Sequence, residues 1–217
     1  MEKYSPLSYK RRIGLIGGTF DPIHYAHLAI AEEARTTLDL TEMVFIPAGE
    51  PPHKVGHLLT PAYDRLAMLQ LAIASNPHFT SSRVELDRPG PSYLVDTLRI
   101  LHAEWGTELE IYFVIGWDGL EELHHWHDPQ GILAQLAHLV VVKRPGHQVD
   151  IEYNKQLEER LPGIMQRLLV ITAPQLDISS TDLRHRVAEK RSIKYLLPET
   201  VERYIYEHGL YQLAYGR

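Results

Sequence analysis

The chain of 217 residues contains no cysteine, which excludes disulfide bridges and thiolate metal sites. It also contains no apolar run near the roughly 18 to 20 residues that a membrane-spanning helix needs. An excess of basic residues is missing too, because 22 lysines and arginines face 28 acidic residues and give a formal net charge of -6. That sign argues against binding nucleic acid through a broad basic face, so any phosphate site must be local.

The amino-terminal segment, MEKYSPLSYKRR, is polar and basic and lacks the apolar core of a secretory signal. The sequence therefore predicts a cytoplasmic protein without a membrane or nucleic-acid partner. We expect a single domain over residues 1–217, in which 1–10 form a flexible extension and 174–217 form a helical carboxy-terminal part. A homo-oligomer is compatible with this sequence, which leaves the oligomeric state open.

Apolar runs rich in β-branched residues alternate with helical patterns along the chain. The runs that predict strands are residues 12–18, 42–49, 109–116, 137–146 and 167–172. The clearest helical patterns are residues 27–38, the segment from Thr60 as cap and Pro61 as first residue down to Asn76, and the segment from Pro198 to Gly209. The alternation predicts an α/β fold, a Rossmann-like doubly wound parallel sheet, with ligands at the carboxyl ends of its strands.

The segment after the first strand, GGTFDPIHYAHL at residues 17–28, is the densest in special residues. It matches neither GxGxxG nor GxxxxGK[ST], the two usual phosphate loops. Gly17 and Gly18 nevertheless leave backbone amides open to a ligand where the strand ends. Asp21 is predicted to cap the next helix, with Pro22 as its first residue.

His24 and His27 then lie three residues apart near the positive end of that helix, so both imidazoles face a single anion. With the glycine turn before them, they predict an anion site at the start of the helix. A solvated or core-capping histidine pair is the commoner outcome for this spacing alone. A metal pair is a weaker alternative, because no third ligand stands at a familiar offset.

This segment resembles the T/SFDPxHxGH signature of the nucleotidylyltransferase superfamily, which binds the phosphates of a nucleoside triphosphate; Ala26 stands where the signature usually has glycine. Late in the chain, DISSTDLRHRV at residues 177–187 resembles the ISSTxxR signature of the same superfamily. Ser179 or Ser180 is predicted to cap a helix there, with Arg184 one turn on. The resemblance implies ATP contacts at Gly17, Gly18, Thr19, Phe20, His24, His27, Ile178, Ser179, Ser180 and Arg184.

Further segments resemble the bacterial nicotinate mononucleotide adenylyltransferases, namely IPAGEPPHK (46–54), DRPGPSYLVDTL (87–98) and FVIGWDGLEELHHWHDPQGIL (113–133). This resemblance implies mononucleotide contacts at Lys54, Ser92, Tyr93, Leu94, Asp118, Trp126 and His127. Leu94 departs from the usual threonine. Simpler roles stay open: a solvated Lys54, a helix cap at Asp118 and a packing lid at Trp126. The neighbouring histidines 124, 125 and 127 are not expected to bind metal, because a helix would spread them apart.

The implied reaction transfers AMP from ATP to nicotinate mononucleotide and releases pyrophosphate. The resemblance implies His24, His27, Lys54 and Arg184 as catalytic residues and Mg²⁺ that enters with ATP, without a metal site built from protein ligands. Two alternatives stay open. One is a different acceptor, nicotinamide mononucleotide or phosphopantetheine, and the other is a nucleotide-binding sensor without turnover.

Overall fold

The computed structural model describes residues 11–52, 59–106, 108–143 and 151–212. Its strands are β1 Arg11–Gly18, β2 Glu42–Pro47, β3 Phe79–Ser81, β4 Leu109–Gly116, β5 His138–Lys143 and β6 Leu168–Thr172. The α-helices within those ranges are α1 Tyr25–Thr37, α2 Ala62–Ile73, α3 Leu94–Trp105, α4 Trp117–Glu122, α5 Pro129–Gln135, α6 Ile151–Arg160, α7 Ser180–Ala188 and α8 Glu199–Glu207. Short 3-10 helices lie at Leu123–His125 and Ile164–Gln166.

The six strands form one parallel sheet in the order β3-β2-β1-β4-β5-β6. Strand order reverses between β1 and β4, and in open α/β sheets the crevice at such a reversal is where ligands bind. The predicted α/β class and its Rossmann-like parallel sheet are confirmed. The edge strand β3 has only three residues, and no sequence pattern predicted it.

Two apolar layers cover the sheet, one on each face. Along β1, Leu15 packs into one layer and Ile16 into the other, as alternate strand residues must. The Leu15 layer is formed with α3 to α6, and the Ile16 layer with α1, α2, α7 and α8. The carboxy-terminal helices α7 and α8 therefore pack on the same face of the sheet as α1, which follows β1 in the chain.

Helix α8 agrees with its predicted boundaries. Pro198 is the residue before its first turn, and Gly209 adopts a left-handed φ of 60° after its last turn. Val201 and Ile205 are both fully buried. Among the described residues, no helix is long and apolar enough to cross a bilayer.

Two predicted helix starts are wrong, and one cap that the sequence left open is excluded. Helix α1 begins at Tyr25 with His24 as its N-cap, because the carboxylate of Asp21 accepts hydrogen bonds from distant groups and does not cap a helix. Helix α2 begins one residue late, with Pro61 as N-cap. Asp118 is not a cap either, since Gly116 holds that position before α4.

Candidate active site

The turn formed by residues 17–20, the nucleotide turn, leaves β1 at the point where strand order reverses. A Cβ at Gly18 would lie 3.1 Å from the ring of Phe20, so a side chain there would push that ring aside by a few tenths of an ångström. Phe20 itself has a φ of 47°, a left-handed conformation that is uncommon outside glycine. Its buried ring packs on Phe45 of β2 and meets the ring of His27 edge-on at 5.2 Å.

His24 and His27 form a stacked pair at the start of α1, with ring centroids 3.7 Å apart. The backbone N–H of His24 donates to Nδ1 of His27 at 3.3 Å. Since Nδ1 of His27 accepts a hydrogen bond, the proton of a neutral His27 ring is on Nε2. The predicted i, i+3 pairing of the two imidazoles is therefore present, and His27 is a donor through Nε2.

Burial lowers the pKa of His24 to about 4. Burial, followed by the charge of His24, lowers the pKa of His27 to about 3. Both imidazoles are therefore neutral at pH 7 before any ligand binds. Nδ1 of His24 is buried and has no hydrogen-bond partner among the described residues. The pair thus offers neutral donors at the positive end of a helix, without a charge in need of a counterion.

The two signature segments meet although they are about 160 residues apart in sequence. The Ser180 hydroxyl donates to the carbonyl of Pro22 at 2.8 Å, and Nη1 of Arg184 donates to the carbonyl of Asp21 at 2.7 Å. Ser179 is the N-cap of α7, and its hydroxyl accepts a hydrogen bond from the amide of Asp182. The sequence predicted Ser179 or Ser180 as this cap, and the structure selects Ser179. Ile178, just before it, packs against the core cluster on the α1 face of the sheet.

One cavity of about 390 Å³, the central cavity, opens beside the nucleotide turn. It joins residues from both predicted contact sets: Gly17, Gly18, Thr19 and His27 from the ATP set, and Ser92, Leu94 and Trp126 from the mononucleotide set. The apolar lining includes Ile46, Phe113 and Ile115, which lie in the carboxyl halves of strands β2 and β4. A ligand in this cavity would contact the carboxyl ends of β1, β2 and β4 together.

Residues 92–94 and 126–127, the acceptor segments, meet at the outer part of the site. The ring of Tyr93 stacks on His127 at 4.2 Å, and Trp126 meets Phe113 edge-on at 6.3 Å. A second cavity of about 100 Å³ lies between the segments and shares Ser92, Leu94 and Trp126 with the central cavity. Trp126 is half-buried with one side on the apolar core, so packing and ring stacking are both available to it.

Ser92 has a structural task that the sequence did not reveal. Its hydroxyl oxygen accepts the backbone amides of Gly49 at 2.9 Å and Glu50 at 3.2 Å. Behind it lies the buried carboxylate of Glu85, which accepts from the Thr97 hydroxyl at 2.7 Å. Burial raises the pKa of Glu85, against the hydrogen bonds of Thr97 and Ser92, which lower it. Ser92 thereby joins the segment after β2 to the acceptor segments.

Not every predicted residue joins this site. Lys54 lies outside the described residues. Asp118 is exposed on α4, although Gly116 and Gly119 on either side of it line the central cavity. His124 and His125 belong to a 3-10 helix and contact each other at 3.7 Å. Across the described ranges, no three His, Cys, Asp or Glu side chains are grouped to hold a metal ion.

Sequence analysis missed three residues that the structure brings to the site: Arg65, Glu85 and Tyr211. Arg65 did carry a signal, because helical spacing places it on the same face as Met68 and Leu69, and a charge on an apolar face needs a partner. Glu85 lies in a short loop without periodicity, and Tyr211 follows the last helix. No local pattern marks either of these two.

Several known proteins are similar to this chain in sequence or in fold. A family model described as cytidylyltransferase-like matches residues 15–186. A protein of Roseiflexus sp. (strain RS-1) is 51% identical over 92% of this chain and 98% of its own length. One of Thermomicrobium roseum is 47% identical over 93% of this chain and 92% of its own length. Both are named "Probable nicotinate-nucleotide adenylyltransferase".

Among solved structures, Plasmodium falciparum nicotinic acid mononucleotide adenylyltransferase complexed with NaAD superposes with a TM-score of 0.72. It is 21% identical and covers 94% of this chain and 98% of its own, a likeness that supports the fold alone. The family model and the two bacterial relatives reach further, because they span most of the chain, including both signature segments. The chain belongs to the cytidylyltransferase-like family and, within it, to the nicotinate-nucleotide adenylyltransferases.

Proposed function

We propose that this enzyme transfers the adenylyl group of ATP to nicotinate mononucleotide, giving nicotinate adenine dinucleotide and pyrophosphate. One observation carries the proposal: the central cavity is lined by the nucleotide turn and His27 on one side and by the acceptor segments on the other. Two reactants bound there would lie next to each other. Sequence relatives at 47% and 51% identity, named for this activity, support the same acceptor.

The chemistry asks little of a general base. An oxygen of the acceptor's 5'-phosphate attacks the α-phosphorus of ATP, and the bond from that phosphorus to the β-phosphate bridging oxygen breaks. The attacking phosphate is already anionic at neutral pH, so no proton needs to be removed. Catalysis then consists of aligning two polyanions and stabilising the charge that develops on the pyrophosphate.

His27 is proposed to supply a donor for that charge. Its Nδ1 is occupied by the backbone amide of His24, so Nε2–H is the side of the ring left to meet a phosphate oxygen. A neutral donor of lowered pKa is stable against titration and strengthens its hydrogen bond as negative charge grows in a site shielded from water. His24, stacked beneath, supports the ring.

The other proposed phosphate contacts come from the nucleotide turn, one helix start, one arginine and one lysine. Amides of the nucleotide turn and the amino end of α7, capped by Ser179, are donors of the kind that bind phosphates. Arg184 holds the Asp21 carbonyl and brings a positive charge beside the turn. Lys54, outside the described residues, is proposed to contact phosphate on the basis of the family resemblance.

Mg²⁺ is proposed to enter on the triphosphate and to neutralise part of its charge there. The described residues suit a metal held by substrate more than one held by protein, because the cavity lining contains neutral donors and a single carboxylate, Glu85, already hydrogen-bonded to Thr97. Mg²⁺ keeps most of its water and often takes few protein ligands at such sites.

Trp126, Tyr93, Leu94 and His127 are proposed to bind the mononucleotide, with the indole of Trp126 stacked on the pyridine ring. The edges of Trp126 and Leu94 border both cavities, which supports a flat ring between them. Asp118, exposed in the first turn of α4 just after β4, is proposed to reach the ribose hydroxyls. We also propose that residues 1–217 act as one domain, since both signature segments meet at one turn.

The test is pyrophosphate release from ATP and Mg²⁺ with three acceptors offered separately at equal concentration: nicotinate mononucleotide, nicotinamide mononucleotide and phosphopantetheine. We expect the first to give the highest kcat/KM. A preference for another acceptor would keep the adenylyl transfer and overturn the acceptor assignment. Silence with all three, together with measurable ATP binding, would favour a nucleotide-binding sensor.

A further inference from the structure

The largest fully buried side chain among the described residues is a charged one, Arg65 of α2, which is 1% exposed. Its Nε donates to the Thr60 carbonyl at 2.9 Å, and its Nη1 donates to the Thr19 carbonyl at 2.8 Å. A guanidinium is costly to bury unless it is paired and hydrogen-bonded. Its donation to the nucleotide turn therefore calls for an explanation beyond packing.

Asp21 supplies the countercharge. Its carboxylate is 1% exposed and attracts Arg65. Burial lowers the pKa of Arg65, and the negative charge of Asp21 raises it. One carboxylate oxygen accepts from the Tyr211 hydroxyl at 2.7 Å, and the other accepts from the Thr60 amide at 3.3 Å. Asp21, Arg65 and Tyr211, the buried cluster, thus join the nucleotide turn to the start of α2 and to the segment after α8.

The hydrogen bond to Thr19 has a directional consequence. In a planar trans peptide, the N–H of one residue points opposite to the C=O of the residue before it. Because the Thr19 carbonyl points to Arg65 in the core, the N–H of Phe20 points the other way. Gly18 and Thr19, the residues just before this amide, line the central cavity.

The same turn also needs support. Phe20 is left-handed, with a φ of 47°, and a conformation of this kind persists only where the surroundings hold it. Its ring in turn contacts His27 at 5.2 Å. A movement of the Thr19–Phe20 peptide would therefore displace both an amide donor and the packing of the proposed imidazole donor.

We propose that Arg65 is a positioning residue of the nucleotide turn: with Asp21 and Tyr211 it holds the Thr19–Phe20 peptide so that the Phe20 amide donates to a phosphate of ATP. Arg65 touches no substrate and acts through that peptide. The inference rests on the proposed function for the identity of the anion. It adds Arg65 and Tyr211, which neither signature contains, behind Asp21, which belongs to the first signature.

The first test is Arg65→Lys, which keeps the charge but replaces a two-pronged donor with one nitrogen. We expect Kd for MgATP, measured by calorimetry, to rise about tenfold, the worth of one hydrogen bond to a charged group. We expect kcat to fall about 10- to 100-fold, as small misplacements in an active site do. KM for nicotinate mononucleotide should stay the same, a split that general loosening would not give.

Two tyrosines provide the matched control. Tyr211→Phe removes the hydroxyl that donates to Asp21, and Tyr204→Phe removes one that donates at 2.8 Å to Asp64, a buried carboxylate of helix α2 that is not part of the buried cluster. Both variants lose one tyrosine-to-carboxylate hydrogen bond. We expect Tyr211→Phe to weaken MgATP binding and kcat in the same direction as Arg65→Lys, and Tyr204→Phe to change only thermal stability.

Unchanged MgATP binding and kcat in a folded Arg65→Lys enzyme would overturn the inference. If Arg65→Lys does not fold, the tyrosine pair decides, and equal behaviour of its two members would overturn it too. The binding measurement needs no acceptor. A wild-type enzyme that binds MgATP but fails with nicotinate mononucleotide would therefore refute the proposed function while the positioning role is still tested.

Discussion

The two halves of the site are built in different ways. On the nucleotide side, Phe20, Asp21 and His24 are each at most 4% exposed, and the turn is held from α1, α2, α7 and the segment after α8. On the acceptor side, Trp126 is half-buried and His127 is exposed. The proposed phosphate-binding half is anchored in the core by these three residues, whereas the proposed acceptor half is assembled from surface segments.

This difference has a physical reason. Donors for a polyphosphate must be oriented before the ligand arrives, since reorienting them during the reaction would raise the barrier. A flat pyridine ring needs mainly apolar area and a few polar contacts, which surface segments supply. We therefore expect changes on the nucleotide side to lower kcat, and changes on the acceptor side to raise KM for the mononucleotide.

The largest effect is expected from His27→Ala, which breaks the nucleotide side. Loss of one donor to developing charge typically lowers kcat about 100- to 1000-fold. We expect that loss in pyrophosphate release, with a much smaller change in KM for ATP. His78→Ala is the matched control. His78 is exposed and lies at the amino end of the outer strand β3, whereas the site lies at the carboxyl ends of the central strands. Near-normal turnover of His27→Ala would remove His27 from the mechanism.

Trp126→Ala removes the indole ring that lines both cavities on the acceptor side. Stacking of a base on an aromatic side chain is worth about 1 to 3 kcal/mol, so KM for nicotinate mononucleotide should rise about 5- to 100-fold while kcat changes little. Trp126→Phe keeps an aromatic face and should recover most of the affinity. An unchanged KM in Trp126→Ala would assign the indole to packing alone.

The lowered pKa values on the nucleotide side predict a pH dependence of stability. Histidines with pKa values of about 4 and about 3 in the folded protein bind fewer protons than histidines of ordinary pKa, 6.5, in the unfolded chain. The contribution of the two neutral histidines to stability is therefore complete above pH 6.5. It is lost as the pH falls from 6.5 toward their pKa values of about 4 and about 3. Each histidine should lower the free energy of unfolding by about 1.4 kcal/mol per pH unit.

Urea unfolding at pH 7, 6 and 5 measures this slope. The double variant His24→Gln, His27→Gln should show a shallower decline than the wild type over the same interval. Parallel slopes would mean that the imidazoles are protonated in the folded protein, contrary to the expected neutral pair.

The smallest effect is expected from Ser92→Ala, on the acceptor side. If the Ser92 hydroxyl acts by holding the Gly49 and Glu50 amides, its loss should lower thermal stability and raise KM for the mononucleotide about three- to tenfold, the worth of a neutral hydrogen bond. Ser82→Ala, which loses a hydroxyl bonded to the amide of Val84, is the control. A raised KM with unchanged stability would instead indicate direct contact with the mononucleotide.

Much of the fold could be predicted from the chain alone, because its signals are local. The buried strands are continuous apolar runs between helical patterns, and Gly209 marks the end of α8 as a left-handed residue should. The short edge strand β3 was missed, since three residues carry no periodicity. The start of α1 was wrong because Asp21 binds distant partners that its own neighbourhood does not reveal.

The sequence by itself determined the α/β class, the turn after β1, the i, i+3 placement of His24 and His27, and a helix cap at one of the two serines 179 and 180. Each of these depends on residues within a few positions of one another. Only the tertiary structure decided that Arg65, Asp21 and Tyr211 meet behind the nucleotide turn and that Ser92 binds backbone amides. Such contacts join segments 40 to 190 residues apart, and their geometry follows from how the sheet and its two helical layers pack.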